Sequence, residues 1–224
     1  MKNPIKYSLK TELWPAGLWF LSLAVAIWAY PQLPDLVITH WKFSGEADGW
    51  SSRLFHTLFF PGLIFFIYLL LTLMPKFDPM SERYREFSKA YLAMRNLILS
   101  VIFIIFAAAT LVNLGYNLNI GIIVTTVIGL LMIILGFYFR KIKRNFFVGI
   151  RTSWTISSEK VWDKTHHLGS YLFIIWGFLL IAAPYLNQKI ALFILLGGAI
   201  LVVFTLFLYS YWLYSKEKKE IDKR

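Results

Sequence analysis

Six stretches of this chain run for at least 18 residues without an Asp, Glu, Lys or Arg: residues 13–30, 57–74, 96–115, 120–139, 168–186 and 190–214. As helix, about 20 apolar residues cross the roughly 30 Å of bilayer hydrocarbon, so each stretch is long enough to span. The charged fraction of 16% is well below the roughly 25% of soluble domains. The fold class this predicts is all-α, an integral membrane helical bundle with six transmembrane helices. The first window resembles a signal peptide in carrying Ala24 and Ala26 at small-residue spacing, but its apolar run exceeds the usual about 7–15 residues of such a segment. It reads as a retained anchor.

Orientation follows from charge, because Lys and Arg in short loops resist translocation. Of the 23 basic residues, 20 fall before the first span, in the second and fourth connections and after the sixth span. The remaining three, Lys42, Arg53 and Lys189, are matched by Asp35, Glu46 and Asp48, so the whole net charge of +11 lies on one side. That side is predicted to be cytoplasmic, with both termini on it. A basic cytoplasmic surface next to lipid reads as attraction to anionic headgroups, about 1 kcal/mol per residue. Direct nucleic-acid binding is not expected. Trp28, Tyr30, Tyr116 and Tyr185 at the outer ends, and Trp14, Tyr138, Tyr171, Trp212 and Tyr214 at the inner ends, fit the aromatic belts of a membrane protein.

Two outer connections, near residues 116–119 and 187–189, are short hairpin tips joining antiparallel neighbours. Three others are long enough to recognise something. The first outer connection, residues 31–56, has Pro31 and Pro34 ending a helix and alternating apolar residues that suit a short strand or a lid on the bilayer surface. The inner segment 75–95 opens on Asp78-Pro79 and places Tyr84, Phe87, Tyr91 and Met94 at helical spacing, the pattern of an amphipathic helix lying in the headgroup region. The inner connection 140–168 contains "GIRTSWTISSEKVWDKTHHLGS". There Gly149 permits a tight turn, and Ser157 or Ser158 is placed to cap a helix with Glu159 in its first turn.

With its basic lead-in, this last stretch closely resembles the signature of the SdpI family of bacterial multi-pass membrane immunity proteins. Gly149, Arg151, Thr152, Trp154, Thr155, Ser158, Trp162, Thr165 and His166 fit the pattern. Ser153 stands where the pattern usually has proline, and His167 where arginine is common. The outer loop resembles the N-terminal domain of unknown function that often accompanies this signature, with Pro34, His40, Gly45, Asp48, Gly49 and Trp50 in its recurrent places. The resemblance divides the chain into a two-span region, residues 1–95, and a four-span SdpI-like region, residues 96–224. It implies self-resistance to a secreted, membrane-active peptide toxin, with the outer-loop residues meeting the toxin. It also implies signalling, in which the inner residues recruit a cytoplasmic winged-helix repressor to the membrane. The alternative is a general envelope-stress protein or a transporter without a cognate toxin.

Catalysis is not expected. With no cysteine there is no thiolate nucleophile or zinc site, and no hydrolase or metalloprotease motif occurs. His40 and His56 belong to the outer side and His166 and His167 to the inner, so the four cannot share one ion, although Asp163 and His166 stand at i and i+3. No cofactor or metal is expected. Transport calls for ionisable groups at mid-membrane, and none of the six windows contains one; Thr110 and Asn113 read instead as ties between helices.

Overall fold

The computed structural model describes residues 3–42 and 46–222. Its elements are α1 (Leu9–Ala29), β1 (Leu36–Trp41), β2 (Ala47–Ser52), α2 (Arg53–Phe77), α3 (Ser88–Asn113), α4 (Ile120–Phe139), α5 (Ser153–Ser157), α6 (Glu159–Ala182), α7 (Gln188–Leu192) and α8 (Gly198–Ile221). A π-helical turn, Phe193–Gly197, joins α7 to α8 into one long span. Six helical segments are long and apolar enough to cross a membrane, and they correspond one to one with the charge-free windows. An even number of passes returns the chain to the face it started from. We call this the terminal face and the opposite one the hairpin face.

The helices outrun the windows because charged residues at a span's end remain helical when the end is capped. α2 begins at Arg53 behind an N-cap from Ser52, and α6 begins at Glu159 behind one from Ser158. Nine residues of α6 therefore precede the charge-free stretch that starts at 168. α3 runs unbroken across the predicted division at 95/96 and packs on α1, α2 and α4.

α4 and α6 pack most closely. A Cβ on Gly129 would lie 2.6 Å from the Gly177 carbonyl oxygen, and one on Gly177 would lie 2.5 Å from that of Gly129, so at this crossing the backbones touch. Small residues permit this approach, and in lipid, packing of this kind drives helix association. Around the bundle, apolar side chains such as Ile200, Leu201, Val203 and Phe204 of α8 stay exposed on the surface that faces hydrocarbon.

Of the prolines inside spans, Pro15 and Pro75 leave carbonyls without their helical N–H partners, and α3 reaches out to these two. Pro15 frees the Thr11 carbonyl, which accepts from the Arg95 guanidinium at 3.0 Å. Pro75 frees the Leu71 carbonyl, which accepts from the Tyr91 phenol. Arg95, fully buried, also donates to both oxygens of Glu12, at 3.0 and 3.1 Å, and Tyr68 donates to the same carboxylate. Its guanidinium lies over the rings of Tyr7 and Tyr68. One ion pair, fully buried on its Arg95 side and half-buried on its Glu12 side, thus binds α1, α2 and α3 together near the terminal face.

The segment before α3 departs from expectation. It is a short 3₁₀ turn, Ser81–Arg85, followed by α3, and Tyr84, Phe87, Tyr91 and Met94 are buried in one cluster with Ile5, Phe139, Ile142 and Trp162. The apolar face was correctly grouped, but it packs on the signature region of the protein rather than on the bilayer surface.

Candidate functional site

The signature connection is built around two buried polar side chains. Asn145, fully buried, uses both ends of its amide: Oδ1 accepts from the Phe147 and Val148 N–H groups at 2.9 and 2.7 Å, and Nδ2 donates to the Lys143 and Val148 carbonyls at 2.8 and 2.9 Å. This closes residues 143–148 into a compact turn. Asp78, from the other terminal-face connection, accepts from the Phe146 N–H at 2.9 Å, the Tyr84 hydroxyl at 3.0 Å and the Met80 N–H at 2.7 Å. Burial first, and then the Asp78 charge, push the Tyr84 phenol well above its ordinary range, so it stays protonated and donating.

Gly149 follows at φ +109°, and a Cβ there would run into the His166 ring. Only glycine takes this conformation without strain. The Ile150 N–H donates to His166 Nε2 at 3.0 Å, so Nδ1 carries the ring proton and donates to the Trp162 carbonyl at 2.9 Å. Trp162 stacks on His166 with ring centroids 4.1 Å apart and donates from Nε1 to the Ile142 carbonyl. With both nitrogens engaged, His166 has no lone pair for an ion, and Asp163 is exposed on another side of the helix.

Thr152 caps α5 and forms a reciprocal capping box with Thr155. This places Ser153 at the first helical position, where proline is also well suited, so the usual proline and this serine both start the same short helix. Thr152 donates to Ser210 Oγ of α8 at 3.0 Å, and Thr155 to the Ile150 carbonyl at 2.9 Å. Ser158 caps α6 while donating to Glu217 of α8 at 2.6 Å. Arg83 grips Glu159 with two parallel hydrogen bonds, the longer 3.0 Å.

The nine signature residues therefore divide sharply. Thr155, Trp162, Thr165 and His166 are buried, the Thr165 hydroxyl having no partner among the described residues. Gly149, Thr152 and Ser158 make the turn and the caps. Arg151 is exposed, its guanidinium folded back on the Phe146 carbonyl. Trp154 is half-buried against Phe207 and Tyr211 of α8. Of the nine, Arg151 is the exposed one, and Trp154 adds the largest half-buried side chain. Sequence reading singled out the Asp-Pro pair at 78–79 and grouped Tyr84 on an apolar face, but it missed the turn-forming Asn145 and the pairing of Glu12 with Arg95, 83 residues apart.

On the hairpin face, β1 and β2 pair antiparallel, Ile38 opposite Trp50 and His40 opposite Gly49. His40 Nδ1 lies 2.5 Å from Asp48 Oδ1, both on the outer surface, and Trp50 and Pro34 are exposed. Gly45 falls outside the described residues. The hairpin is tied down from below. Asn113, at the end of α3, accepts from the Ile38 N–H at 2.7 Å and donates to the Ile38 carbonyl at 2.9 Å, while Arg53 pairs with Asp35 at 3.2 Å. Beneath it His56, buried in α2, bonds through Nε2 to Thr110 Oγ1 at 3.0 Å, and its Nδ1 has no partner among the described residues. Thr110 spends its own proton on the Phe106 carbonyl, so Nε2 of His56 is the donor. Thr110 and Asn113 do act as ties, the first between helices and the second between a helix and the hairpin.

Comparison with known proteins covers both faces. The SdpI/YfhL protein family model matches residues 141–210, which hold the signature turn and caps that form an elbow between α4 and α6, and the Domain of unknown function (DUF1648) model matches residues 17–65, which hold the hairpin. The "Immunity protein SdpI" of Bacillus subtilis (strain 168) is 26% identical over 198 residues, covering 88% of this chain and 92% of that protein. No solved structure matches.

Proposed function

We propose that this chain, which belongs to the SdpI family and carries a DUF1648 region ahead of its signature, is a cell-membrane immunity protein that protects against a secreted, membrane-active peptide. The observation that carries the reading is the match to an immunity protein along nearly the whole of both chains. It acts by binding, without chemistry of its own. The terminal face, which collects nearly all the basic residues, is cytoplasmic, and the hairpin face meets the peptide from outside. His40, Asp48 and Trp50 offer it polar and aromatic surface.

Signalling to a cytoplasmic winged-helix repressor belongs to the same reading and narrows to the outer surface of the elbow. Arg151 and Trp154 form the contact, and the seven other signature residues hold them in place. The four-span region, 96–224, carries the elbow, and the two-span region, 1–95, carries the hairpin. Coupling between them requires two arrangements of the bundle with different affinities for the peptide.

The test is expression in a sensitive bacterium challenged with a panel of secreted apolar peptides. Wild-type protein raises survival against at least one of them; no protection against any removes the reading. The double variant Arg151→Ala, Trp154→Ala keeps insertion and protection but loses recruitment of the repressor to membranes, and normal recruitment by it removes the signalling half. Because the chain has no cysteine, single cysteines at 48 and 151 report orientation. A membrane-impermeant maleimide applied to intact cells labels the first and not the second.

A further inference from the structure

A cavity of about 530 Å³ opens on the hairpin face between the hairpin and the helix ends. Binding sites for small ligands commonly fall within about 300–1,000 Å³. Its walls are mostly apolar, with Phe60 of α2, Ala109 of α3, Ile128 of α4 and Leu180 of α6, and His56, Thr125 and Gln188 add polar groups. Residues 39–42, the end of β1 and the residue after it, form its roof.

That roof narrows the choice of occupant. A two-stranded sheet leaves β1 with an outer edge that no strand pairs. At Ile38 this edge is already occupied by the Asn113 side-chain amide, which accepts from its N–H and donates to its carbonyl as a peptide unit of a third strand would. The next residues along, 39–42, border the cavity. Lys42 spends its N–H on the Glu46 carbonyl inside the hairpin, and the pairing shifts register on either side of His40. An extended peptide continuing from the position of that amide therefore meets the edge over residues 39–41, with its alternate side chains toward the space below. An acyl chain would fill the space but has nothing to offer the edge.

We infer that this cleft is the peptide site: an extended apolar segment of the secreted peptide adds to the free edge of β1 and buries alternate side chains among Phe60, Ala109, Ile128 and Leu180. This rests on the immunity reading and names where and how that peptide is held.

The probe is the peptide against which the wild-type chain protects best. The full-length protein is placed in nanodiscs with a single Ile128→Cys carrying a bimane fluorophore. Adding peptide produces a saturable emission shift. Two analogues, N-methylated on alternate residues in the two possible registers, test the strand edge on otherwise unaltered protein, and at least one binds about tenfold more weakly. Equal binding of both analogues overturns strand addition. Oleate that gives the same shift and displaces the peptide identifies an acyl-chain site and overturns the proposal. Ala109→Phe, which fills the cleft, weakens binding and protection about tenfold, while Leu135→Phe, beside a cavity near the other face, leaves both unchanged. Full protection and binding by a correctly inserted Ala109→Phe variant also overturns it. If no peptide is resisted by wild-type cells, the immunity reading itself fails and the occupant with it, a result distinct from protection that ignores the cleft.

Discussion

The two faces of this bundle differ in how their interiors are filled: the terminal face by a bonded polar network, even though Arg144 Nε, Thr165 Oγ1 and Ser170 Oγ on that side have no partner among the described residues, and the hairpin face by a cavity. On the terminal face Asp78, Asn145, Arg95 and His166 sit out of water, each engaged by partners from more than one part of the chain. On the hairpin face the space beneath the strands is hollow and mostly apolar, and the buried His56 imidazole there has a ring nitrogen unmatched among the described residues. A buried group that is fully bonded rigidifies and specifies one arrangement, while an unbonded one costs stability. The contrast teaches that the terminal face is built to hold a shape, and the hairpin face to leave room.

Substitutions can break this contrast, and the largest effect is expected at Arg95. Arg95→Met strands the Glu12 carboxylate and the Thr11 carbonyl, and losing one partner of a buried ion pair costs about 3–5 kcal/mol. Thermal unfolding in detergent should show a large loss of stability, much of it restored when Glu12→Gln is added. Asn145→Ala leaves two N–H groups and two carbonyls of the turn without partners, at about 3 kcal/mol; protease sensitivity of residues 143–148 reads the opening directly. Gly149→Ala forces a left-handed backbone on a residue with a Cβ, worth about 1–2 kcal/mol before the collision with His166 is added. The same stability assay should rank it at or just below Asn145→Ala. On the other face, His56→Leu removes the unmatched nitrogen and leaves Thr110 still bonded to Phe106, so stability should change by less than about 1 kcal/mol. A loss comparable to that of Arg95→Met would mean that the hairpin face is as tightly determined as the terminal one.

How much of this was legible in the sequence depends on whether the relevant physics was local. The six spans were, because a charge-free run of sufficient length has few other uses. The Ser158 cap ahead of Glu159 was legible for the same local reason. Glu12 and Arg95 were not: each reads as one more charge at the end of a span, and their pairing joins residues 83 apart. Asp78 and Asn145 likewise became meaningful only when two connections met. The signature shows a further limit, since a motif identifies positions without saying which way they point. Trp162 and His166 read as recognition residues, yet they are the packed floor beneath Arg151. The π-helical turn at Phe193–Gly197, whose Ile194 carbonyl takes the Trp176 indole proton at 2.9 Å, left no sign in the sequence beyond two adjacent glycines.

The placement of polar residues along α3 has a mechanical consequence. Its 26 residues make a rod about 39 Å long, gripping the strand edge through Asn113 at one tip and the proline-released carbonyls of its two neighbours through Tyr91 and Arg95 near the other. A push on the strands therefore travels down a stiff shaft whose foot is clamped to α1 and α2, so these three helices shift as one piece, and any give must come where α3 slides against α4.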